Sequence, residues 1–320
     1  MLKARAPPHL RLLVAASPAA AAVQPLGAQG RISAQGNEAT AGAPRAAFDA
    51  GNPGVAYNPE RDEYLVVWTA DDDTAPRVDD EFEAFARRMS GDGVPLGPAV
   101  RISDMGPDGN ASFDASNATV AYNPDANQYL VVWEADDTTD DELEVYGQRL
   151  SATGIEIGTN DLRISAMGAD GNPGQDAFQP VVAYSTVSDR YLVAWHADDT
   201  STDDNEFEIW GQLLTGSGAE VGTDDARLST MGTAIPAANF TGQSAAVAYD
   251  ALRDEFLVVW TGATSPRTSS RSTASGSRRS RALRSARTTS ASPTWGPTAW
   301  RRATPSARPS PTTRAPTSTS

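Results

Sequence analysis

Cysteine is absent from the 320 residues, histidine occurs twice, and no run approaches the roughly 20 apolar residues that a membrane-spanning helix needs. The first absence removes disulfides, thiolate metal sites and thiol catalysis. The last excludes insertion into a bilayer by a helix. Acids are also missing, but only at one end: residues 261–320 hold 11 Arg and no Asp or Glu. Residues 1–260 therefore set 15 Lys and Arg against 41 acids, a net charge near −26. Such a surface repels polyphosphate and anionic lipid, so nucleic acid is excluded as a partner. Helical periodicity is missing too.

What is present is a stretch written four times: Tyr64-Leu65-Val66-Val67-Trp68, Tyr129-Leu130-Val131-Val132-Trp133, Tyr191-Leu192-Val193-Ala194-Trp195 and Phe256-Leu257-Val258-Val259-Trp260. Short runs of β-branched and aromatic residues between polar turns read as strands buried on both faces. The tryptophans lie 65, 62 and 65 residues apart. A fixed period of this length means stacked units that complete one another's cores.

Each unit has four strand signals. The first is Val55-Ala56-Tyr57, followed by the turn residues Asn58-Pro59-Glu60-Arg61-Asp62 and then the Trp-ending strand. After an acidic loop comes an alternating stretch, Glu81 to Arg87, Glu142 to Arg149 or Glu206 to Gln212. Glycine turns at 90–93, 151–154 and 215–218 lead to a last strand ending Arg101-Ile102-Ser103, Arg163-Ile164-Ser165 or Arg227-Leu228-Ser229. Pro25 to Ser33 matches Pro95 to Ser103 at Pro, Leu, Gly, Arg, Ile and Ser, so the chain enters in the last strand of a unit. Four short strands joined in sequence form an antiparallel meander, and radial repetition of meanders gives an all-β propeller, incomplete in this chain. Tandem β-sandwich modules are the competing reading, disfavoured because a sandwich needs about 100 residues and seven strands.

The domain reading has three parts. Residues 1–23 have the basic start and short apolar stretch of a signal peptide, or are a mis-called start. Residues 24–262 hold the repeats: one last strand, three full blades and the start of a fourth. Residues 263–320 are expected to be a disordered, out-of-frame tail. Shifting the tail's plausible codons by one nucleotide lets 268–279 return nearly the sequence of 141–152, lets 291–299 return that of 101–109, and lets 311–320 return one close to 56–65. Three matches in the right order point to a frameshift inside the fourth unit.

The run Tyr-Leu-Val-Val-Trp, acidic loop, Val-Tyr-Gly-Gln-Arg-Leu, glycine turn and Arg-Ile-Ser resembles repeats of large secreted or surface-displayed bacterial proteins read as β-propellers. It covers Pro25 to Trp260, and departs from the pattern at Ala84 to Arg88. The resemblance implies a secreted or cell-surface location and supplies no catalytic motif.

In a meander the long connections of every unit share one face. They carry Asp71, Asp72, Asp136, Asp137, Asp140, Asp141, Asp198, Asp199, Asp203 and Asp204, which this reading offers as ligands for Ca²⁺, a cation held by clustered carboxylates. The competing reading is a set of solvated loops. Because every unit repeats the same acids, the expectation is no enzyme: a non-catalytic extracellular binding or adhesion scaffold for a protein or polysaccharide. A carbohydrate-active propeller enzyme is the alternative, and a frameshifted product without function the third reading. His196, standing where other units have Thr69, Glu134 and Thr261, reads as surface decoration.

Overall fold

The computed structural model describes residues 32–33, 49–71, 75–137, 141–171, 174–198, 207–230, 238–266 and 298–303. Described strands form four antiparallel sheets. The first holds β1 (Ala50–Asn58), β2 (Glu63–Asp71), β3 (Phe82–Ser90) and β4 (Val100–Arg101) in that order. The second holds β5 (Ala115–Asn123), β6 (Gln128–Ala135), β7 (Glu144–Ser151) and β8 (Glu156–Arg163). The third holds β9 (Ala177–Ser185), β10 (Arg190–Asp198), β11 (Phe207–Thr215) and β12 (Glu220–Arg227). In the fourth, β13 (Ala238–Asp250) and β14 (Glu255–Pro266) pair with β15 (Thr298–Ala303). First strands of successive sheets touch one another, β1 with β5, β5 with β9 and β9 with β13, so they are innermost. This is an incomplete β-propeller.

Two parts of the segment expected to lack structure are strand: residues 263–266 extend β14, and Thr298–Ala303 pair beside it. The stretch 268–279, which the shifted reading places third in the blade, lies outside the described residues. So do residues 1–31.

Local chemistry explains the turns. Between first and second strands, Asp62, Asn127, Asp189 and Asp254 all take the left-handed conformation, φ 51°, 47°, 52° and 52°. Asn and Asp tolerate it best among non-glycine residues. Between third and fourth strands, Gly93, Gly154 and Gly218 (φ 77°, 78° and 88°) take it, and Ser90 Oγ, Ser151 Oγ and Thr215 Oγ1 accept the N–H four residues on.

The core lies between blades, and alternation along the second strand decides it. Tyr129, Val131 and Trp133 face the first blade and pack with Leu65, Val67 and Ile102. Leu130 and Val132 face the third, with Tyr191, Val193 and Trp195. Leu192 and Ala194 then meet Phe256, Val258 and Trp260. Burial on both faces therefore holds only where a blade has two neighbours. Leu257 is 40% exposed although Leu65 and Leu130 are 0% and Leu192 2% exposed, and Val55 is 62% exposed against 8% for Val120. On the first blade's outer side Ile32 packs on Trp68 and Phe85, and its carbonyl accepts from Arg87 Nη1 at 2.7 Å. Ile32 thus stands against Trp68 as Ile102 stands against Trp133.

The Arg-Ile-Ser ending is a staple. Ile enters the core, while Ser103, Ser165 and Ser229 donate short hydrogen bonds to buried Glu83, Glu144 and Glu208 and accept from the backbone N–H of Ala84, Val145 and Ile209. Arg101, Arg163 and Arg227 bind the same glutamates at 3.1, 2.7 and 2.6 Å.

Candidate functional site

Each innermost strand is broken near its start by a bulge. Register shifts fall between Gly51 and Gly54, Ser116 and Thr119, and Gln243 and Ala246, and opposite the step from Ala194 to His196. The residues at these bulges, Asn52, Asn117, Gln179 and Ser244, take φ of 51°, 55°, 49° and 53°. Left-handed polar residues at one level of every inner strand place amides and a hydroxyl around the axis. Bulges that re-aim side chains are common beside functional sites. Ala50 pairs with Ala70, just before the acidic loop, so the bulges share their end of the propeller with the long connections.

Here the repeat loses its symmetry. Following the four tryptophans stand Thr69, Glu134, His196 and Thr261. Glu134 is buried and fully engaged: Oε1 accepts from Ser116 Oγ and Asn117 Nδ2, both at 2.7 Å, and Oε2 takes a short hydrogen bond from the backbone N–H of Gln179 on the next blade. One carboxylate therefore links two bulges. His196 is 7% exposed, so it is not the surface decoration expected of a varied lone histidine. Its ring stacks on Phe178 at 5.5 Å and meets the edge of Phe207 at 5.6 Å. Burial lowers its pKa to about 4, keeping the imidazole neutral, and among the described residues Nδ1 has no hydrogen-bond partner. The signal in the sequence was that single variable slot after an otherwise constant strand.

Two of the loop aspartates are buried. Asp71 is 0% and Asp136 4% exposed. Asp71 Oδ2 accepts the N–H of Asp80 at 3.2 Å, and Asp136 accepts those of Asp141 and Asp114 at 3.0 and 2.7 Å. Asp137 accepts from Gly106 N at 3.3 Å, and Asp198 ends β10 half-buried. The first aspartate of the first two loops thus fastens its loop to itself. Asp72, Asp140, Asp199, Asp203 and Asp204 lie outside the described residues. Asp71, Asp79 and Asp80 offer carboxylate oxygens within 4.8 Å of one another, the one such group of three among the described residues.

Several acids tie blades together. Asp114 accepts from Phe82 N, Asp176 from Leu143 N, Asp161 from Asp104 N and Asp225 from Ala166 N, at 2.9–3.2 Å. Burial pushes all four carboxyls up to about 6, and Glu83 up to about 7. A folded-state pKa above the ordinary 3.8 or 4.5 means that the folded chain holds protons the unfolded chain has released, so this stability is present at low pH and lost as pH rises towards 7. His196 acts oppositely below its ordinary 6.5. Five carboxyls outweigh one imidazole, so the thermal midpoint should rise between about pH 7.5 and 5. A flat or falling midpoint over that range would refute the assignment.

No family model matches this sequence, and no curated protein does. Among solved structures the chain is similar to an N-acetylgalactosamine deacetylase from F. plautii in complex with blood group B trisaccharide: 13% identity, TM-score 0.45, over 68% of this chain and 64% of that one. It is similar to an endo-arabinase from Bacteroides thetaiotaomicron, at 14% identity and TM-score 0.40 over 68% and 74% of the two chains. A family 117 glycoside hydrolase from the marine bacterium Zobellia galactanivorans gives 10%, 0.42, 68% and 66%. The chain thus spans about two thirds of the length of the first of these. At such identities the likeness concerns the fold. These structures are named as enzymes that act on carbohydrate, against the two expectations of a non-catalytic scaffold and of no enzyme, and both expectations are withdrawn. Those expectations rested on the equal acids of every unit and left out of account the unequal residues that follow the tryptophans.

Proposed function

We propose that the chain is carbohydrate-active, holding a glycan at the axial end of its inner strands. The observation that carries this reading is the broken symmetry there: buried Glu134 and His196 replace threonines, His196 beside Phe178 and Phe207 and Glu134 bound to the Asn117 side chain and the Gln179 N–H. An aromatic face stacks on a sugar ring, while side-chain amides take up its hydroxyls. The reaction class that fits is hydrolysis of a glycosidic bond, which uses two carboxyls in different protonation states. In this reading Glu134 is the fixed carboxylate. Asp176, three residues before Gln179, is the proton donor, with a pKa that burial raises to about 6. Polysaccharide as substrate also accords with the secreted or surface location that the repeats suggest.

The test is release of reducing ends from a panel of plant and algal polysaccharides, together with glycan binding by calorimetry. Asp176→Asn and Glu134→Gln should each lower kcat by on the order of a hundredfold, and Phe178→Ala should weaken binding by about tenfold. Full turnover by both carboxyl variants, or neither binding nor turnover by the intact chain, would reject the reading.

A further inference from the structure

At the opposite end of the propeller, by the short turns, the blades differ in a second way. In the first blade the guanidinium of Arg88 is occupied by Glu63, whose Oε2 accepts from Nε at 2.9 Å and Nη2 at 2.7 Å. The equivalent arginine of the second blade is Arg149, and the residue in place of Glu63 is Gln128. Gln128 gives Arg149 one contact, Oε1 accepting from Nη1 at 3.3 Å, and turns its own amide to the carbonyl of Gly216 at 2.5 Å. Among the described residues, Nε and Nη2 of Arg149 have no acceptor. These are the two donors that Arg88 gives to Glu63.

The substitution leaves space as well as charge. A cavity of about 250 Å³ opens beside Arg149, lined by Leu130, Leu162, Gly158, Ser217 and Gly218. The corresponding cavity beside Arg88 is about 150 Å³. A Cβ on Gly158 would come within 2.5 Å of Arg149 Nη2, and one on Gly218 within 3.3 Å of Nε. Both glycines have positive φ, 90° and 88°, and their bare backbones let the guanidinium lie between them.

We infer that the Arg149 cavity between the second and third blades binds an organic carboxylate, such as that of a uronic acid sugar, which takes the place Glu63 holds beside Arg88. Carboxylate is the class because it pairs with arginine through charge-assisted hydrogen bonds, and because in the first blade one carboxylate oxygen, Glu63 Oε2, accepts from both Nε and Nη2 of the equivalent arginine. Leu130 and Leu162 supply an apolar wall for the body of the ligand, and Ser217 a hydroxyl at its rim. The inference stands apart from the axial reading, since the cavity lies at the other end.

The experiment is calorimetry on the full chain with galacturonate, acetate, galactose and inorganic phosphate. Galacturonate should bind at least about tenfold more tightly than galactose or phosphate, the discrimination expected of a charge-assisted pair. Arg149→Met should abolish this binding. Gln128→Glu should abolish it too, while raising the melting temperature, because it installs the internal carboxylate of the first blade. Phe178→Ala should leave it unchanged, which separates this site from the axial one. Equal affinity for galactose, tighter binding of phosphate, no heat from either carboxylate, or full binding by Gln128→Glu would each overturn the inference. Should Arg149→Met fail to fold, the ligand comparison on the intact chain and the Gln128→Glu variant still decide it.

Discussion

Trp133→Ala should destabilise the protein by about 3–5 kcal/mol in urea unfolding, the range for a large aromatic removed from a filled core. Trp133 is 0% exposed and packs between two blades, against Leu65, Val67 and Ile102 on one side and its own sheet on the other. A companion pair tests the logic of the ring. Leu130→Ala, in a blade with two neighbours, should cost about 2–5 kcal/mol. Leu257→Ala stands at the same register position but on the outer face of the last described blade, 40% exposed, and should cost under about 1 kcal/mol. Equal losses at the two leucines would mean that the last blade is covered in solution, and the open-ring account would fall.

The second large effect is expected at Glu144. Its carboxylate, 1% exposed, receives Arg163 Nη2 and Met167 N, both at 2.7 Å, and the hydroxyl of Ser165. Burial raises its pKa and the surrounding donors oppose that rise. Replacement by alanine leaves a buried N–H, a hydroxyl and a guanidinium facing a void, so Glu144→Ala should cost about 3–5 kcal/mol. Glu144→Gln keeps an acceptor and should cost visibly less, about 1–3 kcal/mol. Measured by chemical denaturation, a loss below about 1 kcal/mol for the alanine variant would show that the Arg-Ile-Ser staple does not hold the blade's outer strands.

These two sites also show why parts of the molecule were legible in the sequence and others were not. The staple was visible as a recurring triplet at the end of the last strand, yet its partner, 19 to 21 residues earlier, was visible only as one acid in an alternating run. The loop aspartates were visible as a charge pattern. Their work, accepting N–H groups within the loop and from the preceding turn, depends on backbone direction that composition does not carry. His196 was misjudged because a varied residue in a repeat was weighed as decoration, and it lies instead between two phenylalanines.

The sequence by itself determined the strands of the repeated units, their order within a blade and the turn chemistry, though not the strand at 298–303. All of these follow from interactions within a few residues or from a period that recurs along the chain. Tertiary structure alone decided which face of each strand is buried, since Leu130 and Leu257 have the same local sequence and opposite surroundings. It also decided that Glu134 joins two bulges 62 residues apart, Asn117 and Gln179, and that Arg149 meets glycines from its own blade and the next. Such contacts depend on how one sheet is rotated against its neighbour, a relation that many separated residues set together and that no single stretch of the chain records.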